Sequence, residues 1–169
     1  MLAQPIREEL AEPAFEKALE AEPERWEDVS MRVLFVCTRN ACRSQMAEAL
    51  ARALGGSRLE AASAGSDPGE IDPLTLEVLK EAGIGTDGLR AKGLTEVDAE
   101  AHDWVVTLCD EAQASCPSLS GRRGRHHWPV EDPAAVAEGG PVRLQAFRDA
   151  RDAIRARIER WLAEQERSE

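Results

Sequence analysis

The hydrophobic residues of the chain follow two kinds of pattern, which alternate along the sequence. Short continuous apolar runs are typical of strands buried on both faces, and repeats with helical spacing are typical of amphipathic helices. The runs predict four strands, at residues 31–36, 59–64, 103–108 and 126–130. Strands that alternate with helices predict a single α/β domain, in which a four-stranded parallel sheet is flanked by helices on both faces.

The helices are marked by their ends as well as by their spacing. A helix that opens near Arg43 should stop at Gly55, and the next has Asp72 as its N-cap, Pro73 in its first turn and Gly83 after its end. Residues 84–93 predict a glycine-rich loop, and residues 141–166 predict the longest helix. The apolar stripes of the three helices are Met46, Leu50, Ala53 and Leu54; Leu74, Val78, Leu79 and Ala82; and Phe147, Ala150, Ile154, Ile158 and Trp161.

Length and charge narrow the classes of protein to which the chain can belong. Its 169 residues suit one domain, and a formal net charge of −11 argues against broad nucleic-acid binding. No apolar stretch is long enough to cross a membrane, and the first residues lack the basic-then-apolar order of a secretory signal. We therefore expect a cytoplasmic protein with no membrane partner, and we favour a monomer.

Residues 1–30 differ from the domain that we place at 31–169. They are acidic and divided by prolines, and residues 13–22 have the spacing of a short helix. Two interpretations stay open for this extension. It is either a solvated tail or an arm whose apolar residues dock on this or another subunit.

The segment after the first strand carries the strongest chemical signal. Cys37 ends the strand, and five residues separate it from Arg43, which is followed by Ser44 and a helix. Such a loop gathers backbone N–H groups at a helix N-terminus, which favours bound oxyanions. The Cys37 thiol should ionise readily there, and the planar Arg43 fork fits tetrahedral oxyanions. The residues predicted to bind the anion are Thr38, Arg39, Asn40, Ala41, Cys42, Arg43 and Ser44.

The ends of the later strands supply further candidates. Binding sites of parallel sheets lie at the carboxyl ends of strands, so Cys109, after the third strand, and Asp132, after the fourth, should approach Cys37. Asp132 is a candidate general acid that protonates a leaving oxygen. Glu131 is a competing acid.

We predict no metal site. His126 and His127 are adjacent, but no third ligand is apparent, and the four cysteines match no common zinc spacing. The two histidines are therefore assigned a structural role at a strand end. His102 is expected at the surface.

A helix between Cys109 and Cys116 would hold the two thiols too far apart to form a disulfide. Seven residues of helix would hold their Cα atoms about 10 Å apart, whereas a disulfide needs about 4.4–6.8 Å. The two can bond only if the segment unwinds. Such a change of structure suits a redox relay better than a permanent structural disulfide. Two reduced, partly buried thiols are the alternative. Cys42 has two interpretations as well, a thiol that packs the loop or an oxidative partner of Cys37.

Six motifs between residues 31 and 162 carry a family resemblance. They are VLFVCT, CRSQMAEA, SAG, DWVVTLCD, HWPVEDPA and FRDARDAI. Together they resemble the thioredoxin-coupled arsenate reductases, which share the low-molecular-weight protein tyrosine phosphatase fold. In CRSQMAEA, Arg43 matches the family's anion-binding arginine and Ser44 the serine that supports the thiolate.

The resemblance implies a reduction of arsenate to arsenite in three displacements. Cys37 attacks arsenic while Asp132 protonates the departing oxygen. Cys109 then attacks Cys37 and releases arsenite, and Cys116 attacks Cys109 to leave a Cys109–Cys116 disulfide. Thioredoxin is implied as the electron donor, and no bound cofactor is needed. Each step requires an accessible, ionised thiol.

The chain also departs from the family. Arg39 stands where glycine is usual, which restricts the backbone but adds charge at the rim. Some members bind potassium at positions that match Asn40 and Glu48 together with a threonine and an aspartate. Those last two positions are Arg90 and Lys92 here. Two cations argue against a potassium site, and Lys92 is a candidate to replace the charge of the ion.

Three alternatives remain at this stage. A low-molecular-weight phosphatase would use Cys37, Arg43 and Asp132 alone, but phosphatases tend to have an aromatic residue where Ala134 stands. A non-enzymatic redox or oxyanion sensor would oxidise once without turning over. A small thiol in place of thioredoxin is the third alternative, and a third relay cysteine makes it less favoured.

Overall fold

Four parallel strands form the sheet that the sequence predicts, and their carboxyl ends share one edge. In the computed structural model, which describes residues 31–168, β1 is Met31–Cys37, β2 is Leu59–Gly65, β3 is Trp104–Thr107 and β4 is Gly124–His127. The strand order is β2-β1-β3-β4, and every neighbouring pair is parallel. The predicted fold class, an α/β domain built on a four-stranded parallel sheet, is confirmed.

Four helices cover the two faces of this sheet. α1 is Arg43–Gly55, α2 is Pro73–Glu81, α3 is Asp110–Ser115 and α4 is Gly140–Ser168. The buried residues of α1, α2 and α4 share one large hydrophobic cluster with one face of the sheet, whereas α3 belongs to a smaller cluster on the other face. The short α3 therefore buries little apolar surface on its side of the sheet, where Ala112 is its one buried residue.

The two clusters explain why β1 is an almost continuous apolar run. Successive side chains of a strand point to opposite faces, so a strand covered on both sides needs apolar residues at every position. Val33 and Phe35 enter the larger cluster, and Leu34 and Val36 enter the smaller one. The larger cluster also includes Met46, Leu50, Leu79, Phe147, Ile154, Ile158 and Trp161.

The predicted helix punctuation is found in α2. Asp72 is its N-cap, and its Oδ1 accepts a hydrogen bond from the Leu74 N–H at 3.0 Å. Pro73 occupies the first turn, where a missing N–H costs nothing. Gly83 follows the helix with a φ of 74°, a left-handed conformation that favours glycine.

Two expectations were wrong. The fourth strand begins at Gly124 and ends at His127, whereas residues 126–130 were expected. Polar residues are tolerated in this strand because β4 lies at the edge of the sheet and all four of its residues are partly exposed. The strand does not continue to residue 130, because Pro129 lacks the N–H that a ladder needs. His102 is buried at 7% exposure, not exposed, and its ring tolerates burial because its Nδ1 has a polar partner, the Asp98 carbonyl oxygen at 2.7 Å.

Two further predictions concern the extension and the membrane. The helix expected at residues 13–22, and the acidic extension as a whole, lie outside the described residues. Within residues 31–168, no helix is both long and apolar enough to cross a membrane.

Candidate active site

The loop between β1 and α1 is held in one conformation by its neighbours. Asn40 adopts a φ of 52° and is fully buried. Gly65, at the end of β2, touches this loop so closely that a Cβ there would lie 2.6 Å from the Thr38 carbonyl oxygen. The Asp67 N–H donates to that same oxygen at 2.8 Å, and the Gly69 N–H donates to the Arg39 carbonyl oxygen at 2.9 Å. The Thr38 and Arg39 carbonyl oxygens therefore both accept hydrogen bonds from the segment that follows β2.

A buried chain of hydrogen bonds supports the Cys37 sulfur. Cys37 Sγ lies 2.8 Å from Ser44 Oγ, and Asn40 Nδ2 donates to that oxygen at 2.8 Å. Asn40 Nδ2 also donates to Ser63 Oγ at 3.0 Å, and Ser63 Oγ donates to Glu48 Oε1 at 2.7 Å. When Cys37 is a thiolate, Ser44 is the donor, because a thiolate can only accept.

The Glu48 carboxylate is the buried end of this series of hydrogen bonds, and two cationic side chains contact it. Lys92 Nζ donates to Glu48 Oε1 at 3.4 Å. Arg52 Nη2 lies 2.8 Å from Oε2 as an ion pair, without the alignment of a hydrogen bond. Arg90 turns away and binds Glu96 at 2.9 Å. With an ammonium group against Glu48, the residues here do not fit a potassium ion, and no group of three acidic, histidine or cysteine residues within residues 31–168 is placed to hold a metal.

Arg43 and Asp132 face each other across the loop. Arg43 Nη1 donates to the Val130 carbonyl oxygen at 2.9 Å, and its Nη2 lies 3.8 Å from Asp132 Oδ2. The Val130 carbonyl thus holds one nitrogen of the guanidinium, and another nitrogen faces the Asp132 carboxylate. Asp132 Oδ1 accepts from the Ala134 N–H at 2.9 Å, which fixes the carboxyl while 41% of its side chain stays exposed.

An open cavity of about 580 Å³ lies beside these groups. Both cationic side chains of the loop, Arg39 and Arg43, line this cavity, and so do several carboxylate side chains. Cys37 is 2% exposed and is not among the residues that line the cavity. The lining residues include Thr38, Arg39, Arg43, Cys109, Asp110, Glu111, Glu131 and Asp132.

The structure brings Cys109 to this cavity and keeps Cys116 apart from it. Cys109 Sγ lies 3.4 Å from Thr38 Oγ1, and it accepts from the Ala112 N–H at 3.4 Å as the N-cap of α3. Cys116 follows the last turn of α3, so the helix separates the two sulfurs. Both are free thiols, as are Cys37 and Cys42.

Cys42 differs from the other loop residues. It packs in the larger hydrophobic cluster with 5% exposure. Burial, which disfavours the thiolate, raises the pKa of the Cys42 thiol to about 12. A neutral, buried thiol fits the interpretation of Cys42 as a residue that packs the loop.

Sequence reasoning missed some contacts of the site. Glu111 Oε2 accepts from Thr38 Oγ1 at 3.1 Å, although nothing in the local sequence marks that glutamate. His127 lies at the end of β4, with its Nδ1 2.7 Å from Thr107 Oγ1 and its Nε2 2.8 Å from Asp110 Oδ1. The adjacent His–His pair signalled a strand end but not this link to α3.

Comparisons with known proteins agree with this geometry. Residues 32–169 match the model of the low molecular weight phosphotyrosine protein phosphatase family. An arsenate reductase of Staphylococcus epidermidis is 35% identical over 127 residues, which are 75% of this chain and 92% of the relative. A glutaredoxin arsenate reductase of Synechocystis is 30% identical over 132 residues, 78% of this chain and 96% of the relative.

A solved structure is similar as well. The thioredoxin-dependent arsenate reductase of Corynebacterium glutamicum superposes with a TM-score of 0.65 at 28% identity, covering 91% of this chain and 74% of that one. The chain therefore belongs to the low molecular weight phosphotyrosine protein phosphatase family, and within that family it is similar to arsenate reductases.

Proposed function

We propose that this protein reduces arsenate to arsenite, with Cys37 as the nucleophile, Cys109 and Cys116 as a disulfide relay, and thioredoxin as the electron donor. The observation that carries the proposal is the placement of Cys109 in the same cavity as the oxyanion loop, 3.4 Å from Thr38 Oγ1. A phosphatase reaction has no use for a second thiol there. The arsenate reductases among the relatives point the same way.

The first step uses the loop, Arg43 and Asp132. Arsenate binds to the loop N–H groups and the guanidinium, which Val130 holds in place. The Cys37 thiolate, stabilised by Ser44, attacks arsenic, and an arsenic–oxygen bond breaks. The departing oxygen takes a proton from Asp132 and leaves as water.

The second and third steps move the oxidation along the relay. Cys109 attacks the Cys37 sulfur, a disulfide forms, and the electron pair of the sulfur–arsenic bond stays on arsenic, which leaves as arsenite. Cys116 then attacks Cys109 and frees the Cys37 thiolate. A donor dithiol reduces the Cys109–Cys116 bond, and two electrons are transferred in each cycle.

Thioredoxin is favoured as the donor because a protein dithiol suits a disulfide at the surface of the molecule. Cys116 is partly exposed, whereas Cys37 and Cys109 are buried. The relay would carry the oxidation outward to a position that a protein partner reaches. A glutathione-dependent donor is the competing assignment, because one relative is a glutaredoxin arsenate reductase.

The test is arsenate-dependent NADPH oxidation by the purified protein with thioredoxin and thioredoxin reductase. Consumption over many enzyme equivalents supports both the reaction and the donor. Cys37→Ser should abolish it together with the hydrolysis of p-nitrophenyl phosphate. Cys109→Ser and Cys116→Ser should abolish turnover with arsenate but keep the hydrolysis. Equal loss of hydrolysis in all three variants would contradict the relay, and activity with glutathione and glutaredoxin alone would reassign the donor.

A further inference from the structure

The helix that separates the two relay cysteines has little to stabilise it apart from contacts at its ends. α3 has six residues, of which only Ala112 is buried, and isolated helices of this length are unstable in water. A disulfide between Cys109 and Cys116 requires α3 to unwind, because helical geometry holds the Cα atoms about 10 Å apart. Whatever holds the ends of α3 therefore controls whether that disulfide can form.

Strand β4 contacts α3 at both ends. Residues two apart on a strand share a face, so Arg125 and His127 point to the same side. His127 Nε2 lies 2.8 Å from Asp110 Oδ1, in the first turn of α3. Arg125 Nη1 donates to the carbonyl oxygens of Cys116 and Pro117, both at 3.0 Å, just past the last turn.

The strand that carries these two residues is itself firmly held. The intervening residue, His126, points to the other face, where its ring stacks on Trp104 with centroids 4.5 Å apart and meets Trp161 edge-on at 6.4 Å. Arg125 and His127 lie opposite β3 residues in regular parallel register. α3 is thus the movable partner, and β4 is the fixed one.

The two ends of α3 are held differently. At the first end, the Cys109 sulfur caps the helix, and His127 fixes the adjacent Asp110. At the second end, the Cys116 carbonyl is held by Arg125, whose Nη2 is buried and has no hydrogen-bond partner within residues 31–168. The two carbonyl contacts of Arg125 Nη1 are therefore the side-chain hydrogen bonds that hold the C-terminal end of α3.

We propose that Arg125 is a positioning residue that holds Cys116 away from Cys109 and so sets the rate at which the Cys109–Cys116 disulfide forms. The assignment rests on the proposed relay. His127 keeps Cys109 beside the Cys37–Arg43 loop for its attack on Cys37. Arg125 keeps Cys116 away from Cys109 until the Cys37–Cys109 disulfide has formed.

The order of the relay steps follows from the same contacts. When Cys109 bonds to Cys37, its sulfur becomes a weaker acceptor for the Ala112 N–H. The N-terminal turn of α3 is then less stable, because its cap is weaker. Arg125 then remains the main restraint on the last turn. Release of that contact lets Cys116 attack Cys109.

The test measures disulfide closure without arsenate. The parent is Cys37→Ser, so that Cys37 cannot react, and oxidised glutathione accepts two electrons and two protons from Cys109 and Cys116 to give two reduced glutathione molecules. Closure is followed by acid quenching, alkylation and peptide mass mapping. Arg125→Met, which keeps an unbranched side chain but is shorter and donates no hydrogen bond, should close about tenfold faster, as expected for loss of a charge-assisted contact.

Two matched variants separate this contact from a general loss of stability. Arg125→Lys keeps a cationic donor and should close at close to the parent rate. Arg123→Met, at an exposed position two residues earlier, should match the parent. Amide exchange should speed up in α3 of Arg125→Met and stay unchanged in α1.

The possible failures are distinct. If the parent forms the Cys109–Cys116 bond and Arg125→Met forms it no faster, the role of Arg125 is wrong and the relay stands. If none of the variants forms this bond, both the relay and the role of Arg125 are wrong.

Discussion

Replacing Ser44 with alanine tests how the thiolate is supported. The hydroxyl lies 2.8 Å from Cys37 Sγ and is fully buried. Because Asn40 Nδ2 donates to the same oxygen, the hydroxyl is held in place to donate its own proton to the sulfur. Ser44→Ala removes that donor and changes no charge.

The size of the effect follows from the charge on the acceptor. A hydrogen bond to a charged group contributes roughly 1.5–3 kcal/mol, which corresponds to a loss of about tenfold to a hundredfold in the rate of a reaction that needs the thiolate. Asn40 keeps a second acceptor, Ser63 Oγ at 3.0 Å, so the loop should retain its fold. The loss should therefore appear in reactivity more than in stability.

The assay is alkylation of Cys37 by iodoacetamide at neutral pH, followed by peptide mass mapping, with hydrolysis of p-nitrophenyl phosphate as a second readout. Ser57→Ala, at an exposed position without a role in the site, is the matched control. Both rates should fall together in Ser44→Ala, while the midpoint of urea unfolding changes little. Alkylation within about twofold of the unaltered protein would refute the idea that this hydrogen bond stabilises the thiolate.

Three more predictions concern other groups of the domain. Cys42, whose pKa is raised to about 12 by burial, should resist iodoacetamide in the folded protein and react only after unfolding; labelling as fast as that of an exposed thiol would contradict this. Lys92→Met should lower the free energy of unfolding by roughly 1–3 kcal/mol in urea titrations, because the buried Glu48 carboxylate loses one partner and keeps Arg52; an unchanged midpoint would show that the Lys92–Glu48 pair does not stabilise the fold. Hydrogen bonds from Arg148 hold the pKa of Glu81 at about 2, so this group stabilises the fold above the usual glutamate range and the effect is lost as pH falls through about 2. Glu81→Gln should therefore be less stable than the unaltered protein at neutral pH, and the difference should shrink in acid; a difference that is the same at both pH values would contradict the pairing.

The loop between Cys37 and Arg43 could be predicted from the sequence because its signal is local. Five residues between Cys37 and Arg43, placed after a buried strand, leave few other structures for the segment. The approach of Cys109 and Asp132 followed from a general rule, since the carboxyl ends of parallel strands meet at one edge. These parts of the site depended on spacing and on the alternation of strands and helices.

Other parts depended on contacts between distant segments. The bounds of β4 were missed because Gly124 and Arg125 do not resemble a buried strand, and pairing with β3 decides their conformation. His102 was expected at the surface because one polar residue gives no sign that it is buried or that a carbonyl four residues earlier is its partner. The contact of Glu111 with Thr38 joins residues 73 positions apart, and the local sequence around neither residue indicates it.

The most direct test of the account is a single turnover without any donor. The fully reduced protein is mixed with excess arsenate, the reaction is quenched in acid with an alkylating agent, and arsenite and disulfides are both measured. The account predicts about one arsenite per protein and a Cys109–Cys116 disulfide, with Cys37 and Cys42 recovered as thiols. Protein that releases no arsenite, or arsenite that appears with a Cys37–Cys42 bond in place of Cys109–Cys116, would contradict it.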